Sequence, residues 1–182
     1  MEKKYILTDE TIECLGHTLH RIKAVKDFAT ISAGTLGGYI ESEGNLNHIG
    51  NAWVSDSAVV SGSARVTGDA VVTGAAHVSD SARVTGDAVV TGDAHVSGSA
   101  RVTGDAVVTG DADFAVISGF GRVFRTTTFF RCKDNLVRCQ CGCFYGTVDE
   151  FRSKVRETHG SSKYAKEYLM IADLMELHFK ED

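Results

Sequence analysis

The chain has 182 residues, a formal net charge of −5, five Cys and no Pro. That is enough for one elongated domain or two small ones, and no apolar run is long enough to span a bilayer, so a soluble protein without a membrane partner is expected. Charge is uneven: residues 1–51 carry −2, 52–113 carry −5 and 114–182 carry +2, which directs any polyanion-binding surface to the last third.

In chain order, the opening Met1-Glu-Lys-Lys-Tyr-Ile lacks the long apolar segment of a secretory signal, which points to the cytoplasm and to reduced thiols. Residues 1–45 have strand character: Tyr5-Ile-Leu is a short apolar run, and Thr11-Ile-Glu-Cys-Leu and Thr18-Leu-His-Arg-Ile flank a turn at Gly16. They read as a β-rich cap, which a stack of strands needs to cover its open edge.

From Ala52 to Ala112 a six-residue unit repeats, Val-(Ser/Thr)-(Gly/Asp)-x-Ala-x, with Val at 54, 60, 66 and onward to 108. One such unit cannot bury its apolar side alone, so the units must stack. Six is even, so Val and the Ala two places before it point to one side of a strand and form the core, while the residue before each Val points out. Those outward residues recur at 18: Arg65, Arg83 and Arg101; Trp53, Val71, Val89 and Val107; Val59, His77, His95 and Asp113. A hexad with an 18-residue super-period means a triangular β-helix with one distinct ladder per face. Leu46 and His48 read as the Ala and Val slots of a degenerate first repeat, so the stack is placed at 46–117, four coils or roughly 19 Å tall at ~4.8 Å per coil.

The repeat resembles that of the hexapeptide-repeat family, [LIV]-[GAED]-x-x-[STAV]-x, although its second position here is Ser or Thr. The resemblance implies a left-handed parallel β-helix.

After Ala112 the rhythm breaks. Thr126-Thr-Thr-Phe-Phe-Arg-Cys and Leu136-Val-Arg-Cys-Gln-Cys-Gly-Cys flank Lys133-Asp-Asn, a hairpin signal. Thr147-Val-Asp-Glu is a capping box opening a helix that buries Val148, Phe151 and Val155 and stops at Gly160. A second helix from about Ser162 to Phe179 presents Ala165, Tyr168, Leu169, Ala172, Met175 and Phe179. The expected fold class is therefore mainly β: an N-terminal β cap (1–45), the β-helix (46–117), and a C-terminal domain of a β-hairpin plus two α-helices (118–182).

Several constellations could carry function. The apolar ladder Val71, Val89, Val107, with Thr73, Thr91 and Thr109 beside it, is a flat surface suited to self-association as a dimer or trimer, unless the tail helices cover it. Arg65, Arg83 and Arg101 stack like charges; Asp69, Asp87 and Asp105 four residues on could neutralise them, or the strip could dock phosphates or an acidic partner. His77 and His95 could serve as the base of a hexapeptide acyltransferase, but the coils carry no loop to shape a substrate site, so no catalytic residue and no cofactor is assigned. Cys139, Cys141 and Cys143 alternate on the side of Val137 and Tyr145 and read as buried thiols. A zinc site on Cys132, Cys141, Cys143 and His159 is a weaker reading, because the Cys-x-x-Cys knuckle is missing, and no metal is assigned. Arg122, Arg125, Arg131, Lys133 and Arg138 interleave with Phe120, Phe124, Phe129 and Phe130, the strongest nucleic-acid candidate in the chain.

The segment Gly37-Gly-Tyr-Ile-Glu-Ser-Glu-Gly-Asn-Leu, the hexads and the tail Cys-Gly-Cys-Phe-Tyr-Gly-Thr-Val-Asp-Glu-Phe resemble a group of phage and prophage hexapeptide proteins. In length and arrangement the chain is also similar to the type II-A anti-CRISPR proteins that inhibit Cas9. That resemblance implies a non-catalytic binding protein in the host cytoplasm, with the Cas9–guide RNA complex and DNA as partners. The alternative is an acyltransferase using acetyl-CoA.

Overall fold

A computed structural model describes residues 2–14 and 16–180. The three strands β1 (Tyr5–Cys14), β2 (His17–Ala24) and β3 (Leu36–Ile40) come first. Ten two-residue strands follow, β4 to β13: Trp53–Val54, Val59–Val60, Arg65–Val66, Val71–Val72, His77–Val78, Arg83–Val84, Val89–Val90, His95–Val96, Arg101–Val102 and Val107–Val108. They stack as three parallel ladders, β4-β7-β10-β13, β6-β9-β12 and β5-β8-β11. Trp53 lies opposite Val71, Arg65 opposite Arg83 and Val59 opposite His77, so the coil is the 18-residue period of the outward residues.

The core Ala of each hexad, every sixth residue from Ala52 to Ala106, and the core Val, every sixth residue from Val54 to Val108, are fully buried. The third residue of the hexad turns the corner in the left-handed backbone region, at Gly62, Gly68, Gly74, Gly86, Gly92, Gly98 and Gly104, with Asp56 and Asp80 in the same conformation. Gly adopts this region freely and Asp tolerates it, which is why the repeat alternates between them.

Both ends differ from the expected register. Ile40 pairs with Val60 and Leu46 with Val66, a spacing two residues longer than in later coils. Leu46 therefore takes a Val slot, and His48, placed there by the spacing, instead stacks on Tyr5 with ring centroids 4.3 Å apart. The apolar side chain wins the core position and the extra residues go into the Asn47–Asn51 corner. The solenoid thus begins at Ile40 and has about four turns. At the far end Gly110 is extended (φ −164°), so no further corner forms. Asp113 consequently leaves the His ladder and accepts a hydrogen bond from Thr109 N at 2.8 Å.

Outside the paired strands, inter-coil bonds run from the N–H of one coil to the C=O of the next, as from Ala52 to Gly68 (2.8 Å) and Ser57 to Gly74 (3.1 Å). The first coil is left with outward carbonyls and the last with outward N–H groups, and both are covered. At the N-terminal rim Lys4 Nζ donates to Ala52 O (2.7 Å) and Gly50 O (3.2 Å), Tyr5 OH to Leu46 O (2.7 Å), and Asn45 Nδ2 to Gly62 O (3.0 Å) and Ala64 O (2.9 Å). Burial holds the Lys4 ammonium down to about 8. At the other rim Arg101 N donates to Thr128 Oγ1 (2.9 Å) and His95 N to Asp111 Oδ1 (2.8 Å).

The tail is a four-stranded antiparallel sheet, β14 (Phe114–Phe120), β15 (Arg125–Arg131), β16 (Val137–Cys141) and β17 (Phe144–Thr147), followed by α1 (Val148–His159) and α2 (Lys163–His178). One face closes the prism: Phe130 joins the solenoid core and Cys132 bridges Ala106. The other face, with Phe129 and Cys139, packs on Phe151, Tyr168 and Met175 of the helices. The β15–β16 hairpin and the Thr147/Glu150 capping box follow the sequence reading. The cysteine alternation does not run through: Gly142 (φ +62°) turns the chain, leaving Cys143 exposed in the turn. Tyr145 beyond it lies over Gly104 and Phe130, on the face opposite Cys139. No helix among the described residues is long and apolar enough to cross a membrane.

Candidate functional site

Three outward ladders and one tail surface carry the candidate chemistry. On the first ladder, Arg65, Arg83 and Arg101 are exposed and in register. Among the described residues none of the three lies within ion-pair distance of a carboxylate. Two of the three corner acids have other partners: Asp69 accepts from Asn51 N (3.0 Å) and Asp105 from Tyr145 OH (3.0 Å). Ladder and corners therefore do not neutralise one another by contact.

On the second ladder Trp53 is buried, edge-on to Phe28 with centroids 5.4 Å apart. Val71, Val89 and Val107 are half-buried, as are Thr73 and Thr91, while Thr109 is exposed. The helices lie on the tail sheet, with Phe151 and Tyr168 against Phe129.

The third ladder reads Tyr39, Val59, His77, His95. The two imidazoles are 5.0 Å apart, and burial, with the His95 charge second, lowers the His77 pKa. His95 Nδ1 lies 3.6 Å from Asp111 Oδ1, a carboxylate beside an exposed imidazole.

In the tail the five basic residues separate into two groups. Arg138 forms a two-pronged pair with Asp134 (2.8 and 2.6 Å), which holds that carboxyl down to about 2. Arg131 faces Asp113 (3.3 Å) and donates to Phe179 O (2.9 Å). Both charges are thus neutralised or engaged inside the fold. Arg122, Arg125 and Lys133 are exposed. The aromatics divide likewise: Phe129 and Phe130 are buried, whereas Phe120 and Phe124 are exposed beside Arg122 and Arg125 at the β14–β15 turn.

Among the described residues no three His, Cys, Asp or Glu side chains converge to hold a metal ion. Cys132 lies on the prism side near Asp105 and Arg138, and burial pushes its thiol up to about 11. Cys141, Cys143 and His159 instead line a cavity between the tail sheet and α1. Sequence reasoning missed the roles of Lys4, Tyr5 and Tyr168, whose partners are all more than 35 residues away.

No protein-family model matches the chain. The chain is similar to the uncharacterized acetyltransferase YdcK of Escherichia coli (strain K12), 41% identical over 56 residues that cover 27% of this chain and 17% of that protein. The hexads and the solenoid together fit the hexapeptide-repeat type of protein.

Proposed function

We propose that this chain is a non-catalytic binding protein that presents its arginine ladder to an anionic partner. The supporting observation is that Arg65, Arg83 and Arg101 stand in register, exposed, with no carboxylate at ion-pair distance among the described residues. Coils are ~4.8 Å apart, and like charges facing each other across strands weaken a sheet. A partner's phosphates or carboxylates would relieve that repulsion, and guanidinium binds both in a two-pronged manner. Arg122 and Arg125, with Phe120 and Phe124, add a second basic, aromatic contact at the tip of β14–β15. The resemblance to anti-CRISPR proteins makes Cas9 bound to guide RNA the first partner to test, with DNA behind it. The Val71, Val89, Val107 ladder is the proposed contact between copies of the chain.

Co-purification with Cas9 and guide RNA, followed by DNA cleavage at rising protein ratios, tests the partner. Cleavage should fall as the ratio passes one, and full cleavage at large excess removes Cas9 from the proposal. Binding to heparin or to single-stranded DNA tests the ladder itself: Arg83→Glu should weaken it at least tenfold and flatten its salt dependence. Val89→Lys should lower the mass seen by light scattering, and an unchanged oligomer discards the Val ladder as the contact.

A second reading, acyl transfer, is favoured by the His95–Asp111 approach at 3.6 Å and by the name of the E. coli relative. There His95 would act as base and Asp111 would orient it. Acetyl-CoA and free coenzyme A should then each raise the melting temperature. Their failure to do so at millimolar concentration counts against acyl transfer and leaves the binding reading intact.

A further inference from the structure

The tail carries an open cavity of about 390 Å³ whose apolar wall neither reading uses, although its arginines, Arg122 and Arg125, also belong to the basic tip of β14–β15. Its volume falls within the roughly 300–1,000 Å³ of small-molecule sites, and like them it combines a mainly apolar lining with a few converging polar groups. Phe144, Phe151 and Val155 supply the apolar wall, Tyr168 another side, and Arg122 and Arg125 two cationic groups.

Two turns are shaped to seat these side chains. At Gly142 (φ +62°) a Cβ would stand 2.2 Å from Arg125 Nη1, and at Gly121 (φ +73°) one would stand 2.1 Å from the Tyr168 hydroxyl. The left-handed backbone favours Gly at both positions, and the Arg125 guanidinium and the Tyr168 ring lie against them. Both guanidiniums lack a carboxylate partner among the described residues. The neighbouring acids are engaged: Glu167 accepts from Gly121 N (2.9 Å), and Glu157 pairs with Lys154 (2.9 Å), itself a lining residue. The cavity therefore joins an apolar wall to two guanidiniums that have no carboxylate at ion-pair distance among the described residues.

We infer that this cavity binds a small amphipathic anion, with an aromatic ring or short alkyl chain against Phe144, Phe151 and Val155 and a carboxylate or phosphate held by Arg122 and Arg125. Paired charge-assisted bonds fix the head group, and burial of the apolar body supplies the remaining attraction. The inference does not rest on the arginine ladder, and Arg83→Glu should leave it untouched.

The full chain is titrated calorimetrically with octanoate and phenyl phosphate, and with octanol and phenol as their uncharged counterparts. Saturable binding of at least one anion, at least tenfold tighter than its counterpart, is expected. Cys141 and Cys143 line the same cavity, so the bound anion should also slow their alkylation by iodoacetamide. Octanoate alone binding assigns a carboxylate on an alkyl chain; phenyl phosphate alone assigns a phosphate on a ring. Arg125→Glu should reduce affinity at least tenfold. Arg122→Glu, at the exposed turn, makes the same test should the first variant fail to fold by circular dichroism. Binding of neither anion, equal binding of the uncharged counterparts, or affinity unchanged in both variants overturns the inference.

Discussion

The two rims of the solenoid meet opposite chemical demands. The first coil faces outward with carbonyls and is covered by donors, the Lys4 ammonium, the Tyr5 hydroxyl and the Asn45 amide. The outward N–H groups of the last coil are covered by acceptors, the Thr128 hydroxyl and the Asp111 and Asp113 carboxylates, while Asp105 O at the same rim accepts from Lys133 N (3.1 Å). A buried backbone group without a partner is costly, so a parallel coil stack needs unlike caps. One end has a small cap, a hairpin continuing the sheet of the His ladder. The other is closed by a sheet whose far side builds a second core, and the exposed β14–β15 turn and the cavity both belong to that region.

The largest effect expected from breaking this asymmetry is at Phe130, which is fully buried and fills the open end of the solenoid core. Phe130→Ala should cost about 3–5 kcal/mol in urea unfolding. A loss below ~1 kcal/mol would mean that the tail sheet rests on the prism without closing it. Next come two matched changes, one per rim. Tyr5→Phe leaves Leu46 O without its donor, and Thr128→Val leaves Arg101 N without its acceptor. Each should cost about 1–3 kcal/mol, the penalty of a stranded buried polar group. A rim where the change costs nothing is open to water, and the comparison would then apply to one end only.

The solenoid was legible because the hexad admits one solution: Val and Ala fill the interior, and Gly or Asp takes the left-handed corner. Its start was not. Ile40 belongs to a glycine-rich stretch without the repeat, and the two extra residues after Leu46 shift the phase by which His48 was placed. In the tail, local signals succeeded, the Lys133-Asp-Asn turn and the Thr147 cap. Partners supplied from afar were invisible. A charge count treats Arg125 and Arg131 alike, although one borders a cavity and the other is tied to Asp113 and Phe179. Likewise Cys143 broke its alternation because Gly142 turned the chain, where the spacing alone continued a strand.

The smallest effect at neutral pH is expected at Lys4, because two contributions oppose each other there. Lys4→Met strands the carbonyls of Ala52 and Gly50 but also removes a buried ammonium. The balance must shift with pH. The group's folded value of about 8 lies below the ordinary 10.5, so at pH 7 it is charged in both states and the burial cost is fully present. Between about 8 and 10.5 the folded protein releases the proton before the unfolded chain does, and stability rises with pH. A neutral amine still donates to both carbonyls, whereas Met donates to neither. The advantage of the wild type over Lys4→Met in urea midpoint should therefore widen from pH 7.5 to pH 10. The titrations of Cys132 and Tyr5 are common to both proteins and cancel in the difference. A gap that stays constant over that range would mean that the Lys4 ammonium is solvated, and the N-terminal rim would then be closed by Tyr5 and Asn45 alone.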